Sequence, residues 1–155
     1  MKVLIVCSGN TCRSPMAAAI LRKLAAEQGL ELQVESAGTD AFEGQRAHEH
    51  ALQVMKEKGL DISSHEARRL SPELAEEADL ILTMTLGNKR QIVSQVPSAA
   101  EKTFTLAEYG MAHGEEVADP FGKDVEVYRR TAEQLERLLT EVLRRLRKGA
   151  DGAHT

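Results

Sequence analysis

Aromatic residues are scarce in this chain: there is no tryptophan, and phenylalanine and tyrosine together make 3% of its 155 residues. That argues against a nucleic-acid surface built from stacking platforms. A net charge of −4, from 20 basic and 24 acidic residues, gives no long-range reason for a nucleic-acid partner either. No apolar run approaches the length of a membrane span, and Val3-Leu4-Ile5-Val6 is too short for a signal-peptide core, so a cytoplasmic protein with no membrane contact is expected. Cysteine is equally sparse. Cys7 and Cys12, five residues apart, make no disulfide framework, and a reactive thiol suits a reducing compartment. His48, His50, His113 and His154 show no ligand spacing, and with only two cysteines no metal site is expected.

What is present points to one globular domain. An apolar fraction of 42% beside 28% charged residues is enough to bury a core. Lys2 to Val6 reads as a buried strand, Pro15 to Gln28 as a helix closed by Gly29, and Leu32 to Ser36 as a second strand. Ala47 to Lys58 keeps helical spacing. Ser71-Pro72 opens a short helix, Leu80 to Met84 is a third strand, residues 86 to 95 a helix and Lys102 to Leu106 a fourth strand. A loop from Gly110 to Lys123 leads to a final helix capped by Asp124, whose Val127, Tyr128, Thr131, Leu135, Leu138, Leu139, Val142 and Leu146 form one stripe. Strands alternating with helices predict an α/β fold: a single three-layer domain with a four-stranded parallel sheet and helices on both faces. The domain is expected over residues 1–147, with 148–155 a frayed tail. Ligands of such sheets bind beyond the carboxyl ends of the strands, so a phosphate-binding loop after strand 1 would be in the right place.

That loop is Cys7-Ser8-Gly9-Asn10-Thr11-Cys12-Arg13-Ser14. A cysteine ending a buried strand is ordinarily a small hydrophobe; the spacing to Arg13 and to Ser14-Pro15 is what singles this one out. Ser14 is a good N-cap and Pro15 a good first helical residue, so a helix start would face the thiol. Positive charge and a helix N-terminus both lower a cysteine pKa. The same free amides, from Ser8 through Ser14, would cradle a tetrahedral oxyanion, and the Arg13 fork matches two of its oxygens. Gly9 lets the backbone turn inward. No Gly-Lys-Ser/Thr follows, so this is not a nucleotide loop. Asp119, before Pro120 in the long loop, is a candidate general acid; alone it would be a turn residue.

Cys7 to Ser14 resembles the signature loop of the low-molecular-weight protein tyrosine phosphatases, and Gly-Asn-Thr-Cys-Arg-Ser is most similar to the bacterial protein-arginine-phosphatase branch. Ser36-Ala37-Gly38-Thr39, His65 in Ser64-His65-Glu66-Ala67-Arg68, Ala78-Asp79 and Asp119-Pro120-Phe121 extend the likeness over residues 2 to about 147. The resemblance implies a phosphocysteine cycle on phosphorylated protein substrates, without cofactor and with the chain acting as a monomer. Cys7 would be the nucleophile, Arg13 the anion clamp and Asp119 the acid and then the base. Ser14 would steady the sulfur, while Asn10, Ser36 and His65 would hold the loop. Cys12 would trap an oxidised Cys7 as a reversible disulfide.

Thr11 decides the expected substrate. Tyrosine-directed relatives commonly carry isoleucine there; threonine is smaller and polar, which favours a phosphorylated guanidinium. Asp119 could pair with that cation. Phe121 stands where those relatives often have tyrosine, Phe42 has no tryptophan beside it, and Thr85 replaces a frequent aspartate. Phosphoarginine hydrolysis is therefore expected, with tyrosine phosphatase activity as the neighbouring alternative. A noncatalytic oxyanion-binding or redox-sensing module is the alternative of another class. Arsenate reduction would need further cysteines, and there are none.

Overall fold

A computed structural model describes residues 1–112 and 114–152. Its four strands are β1 (Lys2–Cys7), β2 (Gln33–Gly38), β3 (Leu80–Thr83) and β4 (Thr103–Thr105), all parallel, in the order β2-β1-β3-β4. The central strand β1 aligns Cys7 with Gly38 on one side and Val6 with Thr83 on the other.

The layers follow from the alternation of side chains along a strand. Val3, Ile5 and Cys7 of β1 join one buried cluster with Leu80 and Leu82. Leu4 and Val6 join a second cluster with Ile81 on the opposite face. The first face is covered by α1 (Arg13–Glu27), α2 (Glu49–Glu57), α5 (Leu106–Tyr109) and α6 (Val125–Gly152); the second by α3 (Pro72–Glu77), α4 (Leu86–Gln95) and a 3-10 turn over Pro97–Lys102. The three-layer α/β domain expected from the sequence is present. Because β1 pairs with β2 and β3 on opposite sides, the chain reverses its winding direction at β1, and a crevice opens at the end of that strand.

Several boundaries differ from the sequence expectation for identifiable reasons. Helix α1 begins at Arg13 with Cys12 at its N-cap, two residues ahead of Ser14. Ser14 is fully buried and its hydroxyl is spent on Cys7 and Asn10, so it does not cap. Strand β2 runs on to Gly38, because Cys7 needs a partner there. The four-residue α5 was not expected; Thr105 and Glu108 form a capping box around it. The stripe on α6 is buried except for Val127, and Ala132 and Leu143 extend it. Helix α6 continues to Gly152, past the expected domain end at 147, while 153–155 lie outside the described residues, as do His113 and His154. Ser71, Thr85 and Asp124 cap α3, α4 and the first turn of α6. Among the described residues no helix is long and apolar enough to cross a membrane.

Gly38 marks where the sheet meets the loop. A Cβ there would lie 2.5 Å from the Ser8 carbonyl oxygen and 3.0 Å from the Asn10 nitrogen, both backbone atoms that cannot step aside cheaply. Gly38→Ala is therefore expected to push the loop off β2 and to cost about 1–3 kcal/mol of stability, read as a lower urea midpoint together with lost turnover of an aryl phosphate. A variant with native stability and turnover would show that the loop tolerates displacement.

Candidate active site

A cleft of about 280 Å³ opens at the carboxyl end of β1, lined by Cys7, Gly9, Asn10, Thr11, Cys12, Arg13, Asp119 and Phe121. Residues separated by more than a hundred positions thus share one cleft. Asp40, Phe42 and Gln45 line the same cleft; of these, Asp40 and Gln45 were not singled out in the sequence. Of the loop residues expected to bind substrate, Ser8 and Ser14 are not part of the lining.

The Cys7 sulfur receives two hydrogen bonds from the loop. The Asn10 N–H points to Sγ at 3.2 Å, and the Ser14 hydroxyl lies 2.9 Å from it. The direction of the second bond follows from its neighbours. Asn10 Oδ1 accepts from the Arg68 N–H at 2.9 Å, which fixes the amide orientation. The Nδ2 group must then donate, and it does so to Ser14 Oγ at 2.7 Å and Ser36 Oγ at 3.0 Å. With an incoming amide hydrogen on its oxygen, Ser14 turns its own proton to the sulfur.

Asn10 itself sits in the left-handed region at φ 56° and is fully buried. Asparagine tolerates that conformation better than most residues. Its carbonyl meets His65 Nε2 at 2.7 Å, and since a carbonyl only accepts, Nε2 carries the proton. Burial holds the His65 pKa below its ordinary value, helped by Arg22 and Arg68, against the bond to Asn10 and the nearby Glu66. Ser36 and His65 therefore do meet the loop, one from each side of Asn10. Ser8 is tied elsewhere: its hydroxyl accepts from Asn88 Nδ2 at 3.2 Å, and Asn88 is buried beneath the Thr85 cap.

Arg13 is buried, with one Nη donating to the Val117 carbonyl at 2.9 Å and the other 3.8 Å from the half-exposed Asp119 carboxylate. The guanidinium is thus pinned by backbone on one side and pointed at the loop of Asp119 on the other. Asp119 also accepts from the Phe121 N–H at 3.0 Å, the local turn that its place before proline suggests. Cys12 faces Tyr128 instead of the sheet core alone: its sulfur is 3.3 Å from the phenol oxygen. Burial raises the pKa of both the Cys12 thiol and the Tyr128 hydroxyl. Both cysteines are free. Tyr128 escaped notice as a site residue because its position in an apolar stripe reads as core. Among the described residues no group of three or more histidine, cysteine or acidic side chains is placed to hold a metal ion.

The lowered His65 pKa ties loop integrity to pH. Unfolded chains bind a proton at this histidine near 6.5, while the folded chain binds it only at lower pH. The stability due to the neutral ring is therefore full above that value and is lost as pH falls through the interval beneath it. Urea titrations at about pH 7.5 and about pH 5.5 should show a loss for the wild type that shrinks in His65→Gln; equal losses in both would assign the dependence elsewhere.

Comparison with known proteins agrees with this geometry. Residues 2–151 match the family model described as low molecular weight phosphotyrosine protein phosphatase. The chain is 40% identical over 148 residues to a protein-arginine-phosphatase of Bacillus subtilis, covering 96% of this chain and 98% of that one. Its fold matches a YwlE arginine phosphatase mutant with a phosphorylated active site serine at a TM-score of 0.93, 40% identity and coverage of 96% and 97%. It also matches a low molecular weight protein tyrosine phosphatase from T. tengcongensis at a TM-score of 0.89, 43% identity and coverage of 93% and 98%. Loop, sheet order and near full-length similarity together establish that this chain belongs to the low molecular weight phosphotyrosine protein phosphatase family.

Proposed function

We propose that this protein is a cysteine-dependent phosphatase that removes phosphate from arginine side chains of proteins. The observation that carries the chemistry is the Cys7 sulfur at the floor of the cleft, hydrogen-bonded by the Asn10 N–H and the Ser14 hydroxyl and sharing that cleft with Arg13 and Asp119. Cys7 attacks phosphorus as a thiolate, the P–N bond breaks, and Asp119 gives its proton to the departing guanidine nitrogen. Arg13 and the loop amides hold the equatorial oxygens, the electrostatic contribution on which phosphoryl transfer chiefly relies. Asp119 then takes a proton from water, the hydroxide oxygen bonds to phosphorus, the P–S bond breaks, and inorganic phosphate leaves. The bonds from Asn10 and Ser14 receive the negative sulfur as it departs.

Arginine is favoured over tyrosine by the cleft walls. Thr11 puts a small polar side chain there, and two acidic side chains, Asp40 and Asp119, line the same space. The Asp40 carboxylate attracts a guanidinium, and Asp119, holding the proton for the leaving nitrogen, still offers its carbonyl oxygen to a guanidinium N–H; a phenol ester has neither charge nor N–H to match them. The similarity to the protein-arginine-phosphatase of Bacillus subtilis supports the same choice. The exposed rings of Phe42 and Phe121 are the feature a phosphotyrosine would use, so the two substrates must be compared directly. The protein is expected to act as a monomer in the cytoplasm, where both thiols stay reduced.

Cys12 supplies a second reading for the same loop. Peroxide would oxidise Cys7 to a sulfenic acid, and the Cys12 thiol would displace water from it to form a disulfide. Both sulfurs are buried and free, and both line the cleft.

Release of phosphate from phosphoarginine and phosphotyrosine peptides tests the proposal. The wild type should favour phosphoarginine, and Thr11→Ile should shift the ratio of kcat/KM toward phosphotyrosine by about tenfold. Cys7→Ser should lose about a thousandfold or more, and Asp119→Ala about a hundredfold. A wild type that prefers phosphotyrosine would overturn the substrate assignment, and equal turnover by all variants would leave only a binding module. After peroxide treatment, thiol reductant should restore wild-type activity but not that of Cys12→Ser; equal recovery would remove Cys12 from the redox reading.

A further inference from the structure

The loop that carries Asp119 is moored on its way in, where Gln134 and Arg137 reach Glu115, Gln134 also reaches the Glu116 carbonyl and the Leu86 N–H reaches the Glu116 carboxylate; beyond Val117, among the described residues, it has few ties to the rest of the molecule. Val117 is held upstream, by its carbonyl to Arg13 and its N–H to the Met84 carbonyl, and Pro120 is buried. Beyond that, Asp119 and Phe121 are both exposed, and among the described residues Asp119 has one ion pair, the long contact to Arg13. The bond from the Phe121 N–H to Asp119 Oδ1 makes the two residues one unit. Whatever fixes the Phe121 ring therefore aims the carboxylate.

That partner is His48. Its ring meets Phe121 edge-on, with centroids 6.0 Å apart and planes at 77°. The ring is itself held from several sides. It stacks on the fully buried Tyr128 at 5.2 Å and 19°. Its Nδ1 accepts the His50 N–H at 3.1 Å as the N-cap of α2. Its backbone N–H donates to the Thr11 carbonyl at 2.9 Å, which joins it to the phosphate-binding loop. Tyr128, beneath, contacts Cys12 of that same loop.

We propose that His48 is a positioning residue that sets the Asp119 carboxylate over Cys7 by fixing the Phe121 ring. It touches no substrate. A rigid ring anchored to α2, α6 and the loop gives an otherwise weakly tied segment a lateral stop, and edge-to-face aromatic pairs favour one mutual angle. The effect should show only where the acid is needed, because an activated leaving group departs without a proton.

The experiment measures kcat/KM along a series of aryl phosphates graded by leaving-group pKa, which does not depend on the preference for phosphoarginine. It does rest on Asp119 as the acid, so Asp119→Asn is run beside it. His48→Asn removes the ring and keeps a good cap acceptor for α2; His48→Thr is a second ring-free cap. Either is expected to lower kcat/KM for the poorest leaving groups by about five- to tenfold while the most activated ester changes less than about twofold. His48→Phe should recover most of the loss, and His48→Asn should add nothing in the Asp119→Asn background. An equal loss across the series, a full further loss in that background, or no recovery in His48→Phe would overturn the proposal. An Asp119→Asn variant without leaving-group dependence would instead remove the acid role itself, and this inference with it.

Discussion

The loop between β1 and α1 closes around the Cys7 sulfur because Asn10 accepts a left-handed backbone and ties its one side chain to α1, to β2 and to the segment ahead of α3. Each bond has a single permitted direction once the Arg68 N–H has fixed the amide. The backbone conformation turns the Asn10 N–H to the sulfur, and the side chain leaves the Ser14 proton no better acceptor than the same atom. The loop's shape and the hydrogen bonding of the Cys7 sulfur therefore both depend on one buried residue with every polar group engaged. Such a network is rigid when complete and costly when any member is missing.

The surrounding fold protects that arrangement by confining it. β2 approaches so closely that only glycine fits at its end, and Ser8 is moored to Asn88 at the start of α4. The loop of Asp119 is different in kind, with its aspartate and phenylalanine in solvent beyond the last fixed point at Val117. A stiff floor below a looser rim suits the proposed chemistry, in which the anion-binding geometry would be set in advance and Asp119 would adjust to the leaving group.

The placement of the loop from Cys7 to Ser14 between a strand and a helix was legible because its residues are consecutive. Cys7 to Ser14 follows a strand and opens a helix, and each residue type has a local reason to be there. The layers were legible too, since β1 and β3 are continuous apolar runs and α6 carries a clean stripe. What escaped was set by distance. Arg68 serves Asn10 through a backbone N–H, which any residue there could supply, so no sequence signal marks it. Tyr128 meets Cys12 across 116 positions while sitting in a row of core residues. Ser14 looked like a cap because serine usually is one; the buried sulfur and amide beside it were stronger partners. The short α5 did leave a trace, a threonine three residues before a glutamate, but four residues of helix produce no periodicity to go with it.

Order along the chain has its own consequence. Cys7 belongs to the first strand, whereas Val117, which pins Arg13, and Tyr128, which packs under the same loop, come more than a hundred residues later. On the ribosome the thiol emerges first and its surroundings last, so a nascent chain carries Cys7 without a binding pocket until α6 has been made and docked. Activity therefore arrives with completion of the chain, and a truncated translation product would hold the cysteine but not the site.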